Sequence, residues 1–382
     1  MSPVARATVA YIAYFTAVGA YWPYIPVYYR GLGLDLGTIG LLAALAAATQ
    51  LVASPAWGAI TDRFPRSSLI LPAAVFLAAS AATGLAIARD LPLIAACVLL
   101  LAIGLSGVSP MLDARTLDLL GADRIRYGQV RAWGSVAFIV TAGLVGLLID
   151  RQGNGILFAI YVPGLVLTAL VSLTFPRGRR TRSISPLRGA WDLFRQRTMG
   201  LFLLGALLTW MMLTAVNAFF SIHLIALGAP AQTVGLAWIV GAAVEVPLMW
   251  AFPMLAKRFG MERLLVAATV AFVLRATSYA VVTDPTALVA LTALEGFGFG
   301  LFYVGGVTFV SQRAPAGLAA TAQGVFTGVS AGLGTILGSG LGGLVASELT
   351  IPGLFAVCAG GSTVAAAVVA YAVLPTRRPV PS

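Results

Sequence analysis

Long apolar runs follow one another along the whole chain, and they constrain its fold more than any other feature. A helix of about 20 apolar residues spans a hydrocarbon core of ~30 Å. We count twelve such runs. They are continuously apolar and far longer than the alternating ~10-residue strands of membrane barrels, so they indicate helices. The sequence therefore predicts an all-α membrane protein with twelve transmembrane helices.

The predicted helices form two sets of six, separated by the longest polar stretch. The first set lies near 6–29, 37–60, 67–88, 91–117, 128–149 and 155–175. The second set lies near 198–222, 232–256, 262–283, 286–310, 318–345 and 351–374. We predict an N-terminal six-helix bundle over 1–175, a cytoplasmic linker over 176–197 and a C-terminal six-helix bundle over 198–382.

An internal repeat supports this division. A shift of 195 residues without a gap aligns identical residues from the two halves. The aligned pairs are Leu32-Gly33 with Leu227-Gly228, Gly40-Leu41 with Gly235-Leu236, and Arg63-Phe64 with Arg258-Phe259. Parallel repeats of six helices are one known way to build alternating access to a substrate site near the bilayer midplane.

The net charge of +11 does not indicate nucleic-acid binding, because of where the basic residues lie. Outside the predicted spans, the Lys and Arg residues fall in alternate connections or at the termini, except Arg30, Arg89 and Arg151. This asymmetry is the positive-inside pattern, and it predicts that both termini are cytoplasmic. We expect a multi-pass protein of the cell inner membrane that acts as a monomer and binds no nucleic acid.

Residues of catalytic or metal-binding type are few. The two cysteines, Cys97 and Cys358, lie inside predicted helices and suggest neither a disulfide nor a metal site. With a single histidine, the chain also offers no nucleophile and base pair. We predict that the protein is not an enzyme and needs no metal and no cofactor.

Ionisable side chains inside the predicted helices are the first functional candidates, because charges at bilayer depth are costly. They are Asp113, Arg115, Arg131, Glu245, Arg275 and Glu295. We predict that Asp113 pairs with Arg131, and that Arg275 pairs with Glu245 or Glu295. The alternative is a set of static salt bridges that only fix helix packing.

One carboxylate of this set is left without a partner if Arg115 does not face the cavity. A desolvated carboxylate without a counter-charge holds a proton more readily than one in water. We assign proton coupling to Glu295, with Glu245 and Arg275 beside it.

Polar and aromatic side chains in the same layers complete a candidate substrate site. Asn217 and Gln50 are the amides. Tyr21 belongs to a row with Tyr14 and Tyr28 that is typical either of a cavity wall or of the interfacial aromatic belt. The predicted substrate contacts are Asp113, Arg131, Asn217, Tyr21 and Gln50.

The connection after the second predicted helix reads Gly58-Ala-Ile-Thr-Asp62-Arg63-Phe-Pro-Arg66. It resembles the Gly-x-x-x-Asp-Arg-x-x-Arg loop motif of the major facilitator superfamily. The resemblance implies a transporter fold of two six-helix bundles, in which Gly58, Asp62, Arg63 and Arg66 control a conformational change.

Pro110, Asp113 and the stretch Tyr127-Gly128-Gln-Val-Arg131-Ala-Trp133-Gly134-Ser135 carry a narrower resemblance. They are similar to the branch that contains phenylpropionate permease and the nucleoside and oligosaccharide proton symporters. The lactose-permease relatives have an acid and an arginine at the spacing of Asp113 and Arg131, where they bind sugar.

The same relatives have an arginine at the place of Arg275, near their proton site. This chain has Glu295 where the branch usually has a histidine, and Gly298 where the sugar symporter has its proton-binding glutamate. The resemblance therefore implies proton coupling at a shifted position.

These observations predict a secondary active transporter that moves a small organic solute by alternating access, coupled to proton symport. A proton-antiport exporter of sugars or drugs uses the same fold and stays open as the alternative. An ungated channel is the other alternative. The expected partners are a small-molecule substrate, protons and the lipid bilayer.

Overall fold

In a computed structural model of the protein, the described residues are 2–64, 68–120, 127–175, 197–314 and 319–374, and most of them are helical. The first eight helices are α1 (Pro3–Tyr21), α2 (Ile25–Gly31), α3 (Leu36–Arg63), α4 (Ile70–Ile87), α5 (Leu91–Leu105), α6 (Val108–Leu120), α7 (Tyr127–Gln152) and α8 (Ile156–Ser172). The next seven are α9 (Arg197–Ala226), α10 (Ala231–Phe259), α11 (Met261–Val281), α12 (Pro285–Leu291), α13 (Ala293–Arg313), α14 (Ala319–Thr327) and α15 (Thr335–Val373). A π-helical segment, Gly328–Gly334, joins α14 to α15.

Each predicted apolar run coincides with helical structure, but the correspondence is not one to one. Within the described residues, nine helices are long and apolar enough to cross a membrane, and Ile156–Ser172 is a shorter apolar helix. One of the nine, Thr321–Val373, has 53 residues. At 1.5 Å per residue it is about 80 Å long, more than twice the ~30 Å of a hydrocarbon core. Its backbone breaks at Thr350, where φ is +73°.

The described residues form two compact units. The first contains 2–175 together with 224–239, and the second contains 197–223 together with 240–374. In the first unit α1 packs along α7 and α8, and α4 packs along α5 and α8. In the second unit α11 packs against α13 and α15. The core of the second unit includes the rings of Phe202, Phe302, Phe309 and Phe326.

Glycine rows allow close approach of helix backbones, as membrane helices require when lipid gives no hydrophobic drive for association. A Cβ at Gly334 would lie 2.8 Å from Cβ of Trp210, and one at Gly338 would collide with the Met211 carbonyl. The lack of a side chain at these two glycines therefore permits close packing against α9. No described atom lies within 4 Å of a Cβ built at Gly324 or Gly328.

The repeat in the sequence is also a repeat in backbone conformation. Gly33 has φ +85° and Gly228 has φ +83°, a left-handed conformation that favours glycine. The helices that follow begin at Leu36 and at Ala231, which are again 195 residues apart. The turn and the helix start are therefore built in the same way in both copies.

The two helix starts differ in how they are capped. Asp35 accepts hydrogen bonds from the Thr38 amide at 2.9 Å and the Thr38 hydroxyl at 2.6 Å. These bonds lower the pKa of the Asp35 carboxyl. The second copy has Pro230 at this position, which carries no side-chain acceptor. Instead, the Asp150 carboxylate of α7 accepts hydrogen bonds from the amides of Ala231 at 2.7 Å and Gln232 at 3.1 Å. A carboxylate from another helix thus satisfies the α10 N-terminus.

Candidate functional site

The second unit holds a closed cluster of three polar side chains, Asn217 on α9, Arg275 on α11 and Glu295 on α13. The Arg275 guanidinium donates to Oδ1 of Asn217 at 2.8 Å and lies 3.1 Å from Oε2 of Glu295. The Asn217 amide donates to Oε1 of Glu295 at 2.8 Å. Arg275 is only 2% exposed. The predicted pairing of Arg275 with a carboxylate is confirmed, and its partner is Glu295.

Two aromatic rings cover the other side of the Arg275 guanidinium. Its carbon lies 4.9 Å from the Tyr279 ring centroid and 5.9 Å from the Phe220 centroid. The two rings stack on each other with centroids 4.7 Å apart. Ring faces attract a cation, and this attraction is stronger where water is excluded. The Arg275 side chain is therefore held in one orientation, toward Asn217 and Glu295.

The glycine stretch of α13 allows close packing of the helices that carry Glu245 and Glu295. A Cβ at Gly296 would collide with the Gly241 carbonyl of α10, and one at Gly300 would lie 3.1 Å from the Glu245 carbonyl. Gly298 faces the Phe272 ring, which lies 2.7 Å from the Cβ position. A side chain at any of these three positions would therefore disturb the packing of α13. The small residues allow α10 and α13 to approach each other at the depth of Glu245 and Glu295.

Glu245 differs from Glu295 in having no cationic partner. Among the described side chains, the ion pairs are Arg275 with Glu295 and Arg313 with Glu262. Glu245 is partly exposed, and its backbone nitrogen lies 3.0 Å from a Cβ built on Gly296, the residue that follows Glu295. Of these two carboxylates, Glu295 is thus neutralised by Arg275, and Glu245 has no ion-pair partner among the described residues.

The first unit holds a separate cluster around Asp113 on α6 and Arg131 on α7. The Tyr11 hydroxyl of α1 donates a short hydrogen bond to the Asp113 carboxylate. The Arg131 guanidinium lies over the Phe15 ring, 4.0 Å from its centroid, and 5.8 Å from that of Tyr11. The ring of Tyr127 meets Tyr11 edge-on at 6.4 Å.

Asp113 and Arg131 do not pair with each other in the described structure, so the prediction of a direct ion pair is wrong. The physical reason is that α1 supplies a competing partner to each. Tyr11 binds the carboxylate, and Phe15, one helical turn later, binds the guanidinium. Arg115 is buried on α6.

The other predicted substrate residues lie apart from these contacts. Tyr21 stacks on Tyr161 with centroids 4.4 Å apart and meets Phe158 edge-on at 6.4 Å. Gln50 is exposed on α3. Tyr21 therefore packs against aromatic rings of the first unit, and the Gln50 side chain is exposed.

Only part of the loop motif lies within the described residues. Gly58 is inside α3, with no described atom within 4 Å of a Cβ built on it. Arg63 is the last residue of α3, and its guanidinium lies 5.9 Å from the Phe64 ring centroid. The Asp62 side chain and Arg66 lie outside the described structure.

Sequence reasoning missed Tyr11, Phe15 and Tyr279. Tyr11 and Phe15 are four residues apart on α1 and so share a face, which is a detectable signal. The sequence analysis instead selected Tyr21, from the row of Tyr14, Tyr21 and Tyr28 on the same segment. Tyr28 packs edge-on against Phe158 at 5.0 Å and is buried, as is Tyr14.

Metal-binding groups do not assemble within the part of the chain that the structure describes, since no three His, Cys, Asp or Glu side chains come together there. Cys97 and Cys358 are buried free thiols. The side chains of the two clusters can take part in hydrogen bonding, ion pairing, ring stacking and proton exchange at carboxylates.

Comparison with known proteins places these clusters in context. A family model described as "MFS_1 like family" matches residues 5–356. The maltose permease of Geobacillus stearothermophilus is 28% identical over 352 residues, covering 90% of this chain and 88% of that protein. The probable 3-phenylpropionic acid transporter of Escherichia coli (strain K12) is 28% identical over 303 residues, covering 77% and 78%. A crystal structure of the nucleoside transporter NupG superposes with a TM-score of 0.89 at 20% identity, covering 97% and 99%.

Proposed function

Since this chain belongs to the MFS_1 like family, we propose that it imports a small organic solute by proton-coupled symport, through alternating access. The family and the relatives show a membrane transporter and not an enzyme. Proton coupling and the direction of transport are the proposed steps beyond that. The observation that carries them is the arrangement of Glu245 beside the Asn217, Arg275 and Glu295 cluster.

We propose twelve spans in two six-helix halves, 1–175 and 198–382, joined by a cytoplasmic segment at 176–197. The break at Thr350 supports this count, because it divides a helix that is too long for one crossing. The repeat of the turn at Gly33 and Gly228 supports the two halves. The distribution of basic residues supports cytoplasmic termini in the inner membrane, and the proposed working unit is a monomer.

The proposed proton carrier is Glu245. Protonating Glu295 would leave the buried Arg275 without its counter-charge, which costs several kcal/mol in the membrane interior. Protonating Glu245 instead removes a charge that has no ion-pair partner among the described residues. The sequence led us to assign proton coupling to Glu295. Because Glu295 is paired with Arg275, the contacts favour assigning it to Glu245 instead. Arg275 and Glu295 then act as the positioning pair beside it.

Coupling follows from the repulsion between the two carboxylates. When Glu245 is ionised it adds negative charge next to Glu295, and when it is protonated it becomes a hydrogen-bond donor. A hydroxyl or carboxylate of the substrate can accept from the protonated form only. Proton binding therefore strengthens substrate binding, and by reciprocity the substrate strengthens proton binding.

The proposed substrate contacts are Asp113 and Arg131 in the first unit and Asn217 in the second. Arg131 has guanidinium donors in a fixed fork, already oriented by Phe15, and these suit paired hydroxyls or a carboxylate. Hydroxylated or carboxylated solutes with a ring fit this donor set. Maltose, 3-phenylpropionic acid and nucleosides, taken from the relatives' names, are the first compounds to test.

We also propose Tyr21 and Gln50 as secondary substrate contacts. The proposed control of the conformational change is the loop motif, with Gly58, Asp62, Arg63 and Arg66. The family resemblance of the loop is the basis for this second assignment. The exposed position of Arg63 at the end of α3 is compatible with a contact that forms in one conformation.

The direction of coupling is tested with reconstituted protein and an imposed pH gradient. A thermal-shift screen of the three solute classes first selects a compound. Symport predicts uptake into vesicles whose exterior is more acidic, and antiport predicts uptake when the interior is more acidic. Uptake that does not saturate with concentration would instead indicate a channel.

A further inference from the structure

A groove of about 350 Å³ lies in the first unit between α1, α7 and α8. Its volume falls within the ~300–1,000 Å³ typical of ligand pockets. The lining includes Thr16, Thr141, Leu144, Leu148, Arg151 and Ile160. None of these residues takes part in the Asp113 or Arg275 clusters, so the groove is a separate feature.

The groove has the length of one membrane leaflet. Thr141, Leu144, Leu148 and Arg151 follow one another at spacings of three, four and three residues, which places them on one face of α7. The ten residue steps from Thr141 to Arg151 rise about 15 Å, which is half of the ~30 Å hydrocarbon core. The groove thus extends from the middle of the span to its end.

The walls of the groove suit an acyl chain. Leu144 is 53% exposed on a helix that is apolar enough to span a membrane. Leu148 and Ile160 are partly exposed beside it. Apolar surface at this depth meets hydrocarbon rather than water, and a recess between helices holds a chain with more contacts than a flat helix face does.

A cationic side chain, that of Arg151, lies at one end of this apolar wall. Arg151 is exposed in the last turn of α7 and belongs to no ion pair within the described residues. Its neighbour Asp150 directs its carboxylate to the amides of Ala231 and Gln232. The adjacent acid is therefore engaged elsewhere, and the guanidinium is available to a phosphate, which it binds bidentately.

We propose that this groove is a binding site for an anionic phospholipid. One acyl chain lies along Leu144, Leu148 and Ile160, and the headgroup phosphate binds Arg151. A guanidinium binds a phosphate bidentately, and an exposed arginine at the end of a transmembrane helix lies at the level of the headgroups. The proposal depends only on the helices spanning a membrane, and it holds whether or not transport is coupled to protons.

Native mass spectrometry of the purified full chain tests the site, with phosphatidylglycerol and phosphatidylcholine that carry identical acyl chains. The wild type should retain phosphatidylglycerol preferentially. Arg151→Gln should lower phosphatidylglycerol retention about fivefold, toward the level of phosphatidylcholine. Arg30→Gln, an exposed arginine on α2, is the matched control and should retain the wild-type preference.

A second variant tests the acyl-chain half of the site. Leu148→Trp fills the groove and should reduce retention of both lipids, whereas Leu167→Trp on the exposed face of α8 should not. Glycerophosphoglycerol has the same phosphate without acyl chains, and it should not displace the lipid. Wild-type phosphatidylglycerol retention in Arg151→Gln overturns the proposal, as does displacement by glycerophosphoglycerol. Because Arg151 is exposed, its variant gives an answer even if Leu148→Trp fails to fold.

Discussion

Arg275 and Glu295 form an ion pair of 3.1 Å in which the arginine is 2% exposed. Breaking a buried pair by removing one partner leaves an uncompensated charge, at a cost of about 3–5 kcal/mol. Arg275→Met alone should therefore destabilise the protein strongly. Arg275→Met combined with Glu295→Gln should recover much of the loss, because neither member of the pair then leaves the other uncompensated.

Thermal unfolding of the purified single and double variants measures this coupling. Arg313→Met is the matched control, since Arg313 pairs with Glu262 at 3.6 Å and both side chains are at least one-third exposed. An exposed pair contributes about 0–1 kcal/mol, so this variant should unfold close to the wild type. Strictly additive effects in the Arg275 and Glu295 cycle would contradict the account of the pair.

The contact between Arg131 and Phe15 predicts that charge alone does not suffice at position 131. Arg131→Lys keeps the charge but loses the planar group that lies 4.0 Å from the Phe15 centroid. We expect the apparent KM for substrate to rise about fivefold or more. The same change at Arg258, which lies 5.3 Å from the Phe259 centroid on an exposed part of α10, is the control. Equal KM values in Arg131→Lys and the wild type would make Arg131 a packing residue.

The close approach of α10 and α13 predicts a sharp difference between two glycines. Gly296→Ala places a methyl group against the Gly241 carbonyl and forces the helices apart at Glu245 and Glu295. Transport should fall at least tenfold, with the protein still folded. Gly324→Ala has no described atom within 4 Å and should transport as the wild type does. Initial uptake rates of the two variants measure this difference. An equal loss of transport in both variants would show that close packing at Gly296 is not what transport requires.

The cap that Asp150 provides to α10 predicts a stability effect that depends on an acceptor oxygen. Asp150→Ala leaves the amides of Ala231 and Gln232 without their acceptor and should destabilise by about 1 kcal/mol. Asp150→Asn keeps one acceptor oxygen and should retain most of the stability. Denaturation midpoints of the two variants give the comparison. An asparagine variant as unstable as the alanine variant would show that the negative charge, rather than the acceptor, matters.

The helices could be predicted from the sequence because their signal is local. An apolar run of span length has few alternatives in a membrane, and each predicted run coincides with helical structure. The break at Thr350 lies in the gap that the sequence predicts between the spans 318–345 and 351–374, but its left-handed conformation, with φ +73°, was not predictable because no glycine stands there. The repeat was detectable for the opposite reason, since Gly33 and Gly228 are both glycines in the left-handed conformation.

The two clusters show where sequence reasoning reaches its limit. A buried arginine needs a counter-charge, and Arg275 had two carboxylates to choose from, so a pair was predictable but its identity was not. Asp113 instead accepts a hydrogen bond from Tyr11 of α1, and Arg131 lies over the ring of Phe15 on the same helix. That outcome depends on the rotation of α1 about its axis, which composition and spacing do not determine. For the same reason, the sequence did not show that Arg275 pairs with Glu295, which leaves Glu245 as the carboxylate without an ion-pair partner among the described residues.

The most direct test of proton-coupled symport compares Glu245→Gln with the wild type in proteoliposomes. The compound selected by the thermal-shift screen is supplied under an inward proton gradient, and uptake and external pH are recorded together. The wild type should accumulate the compound against its gradient and take up protons with it. Glu245→Gln imitates the protonated form, so it should exchange substrate for substrate but neither accumulate it nor move protons. Accumulation by Glu245→Gln at the wild-type level, or wild-type uptake that ignores the pH gradient, would contradict the account.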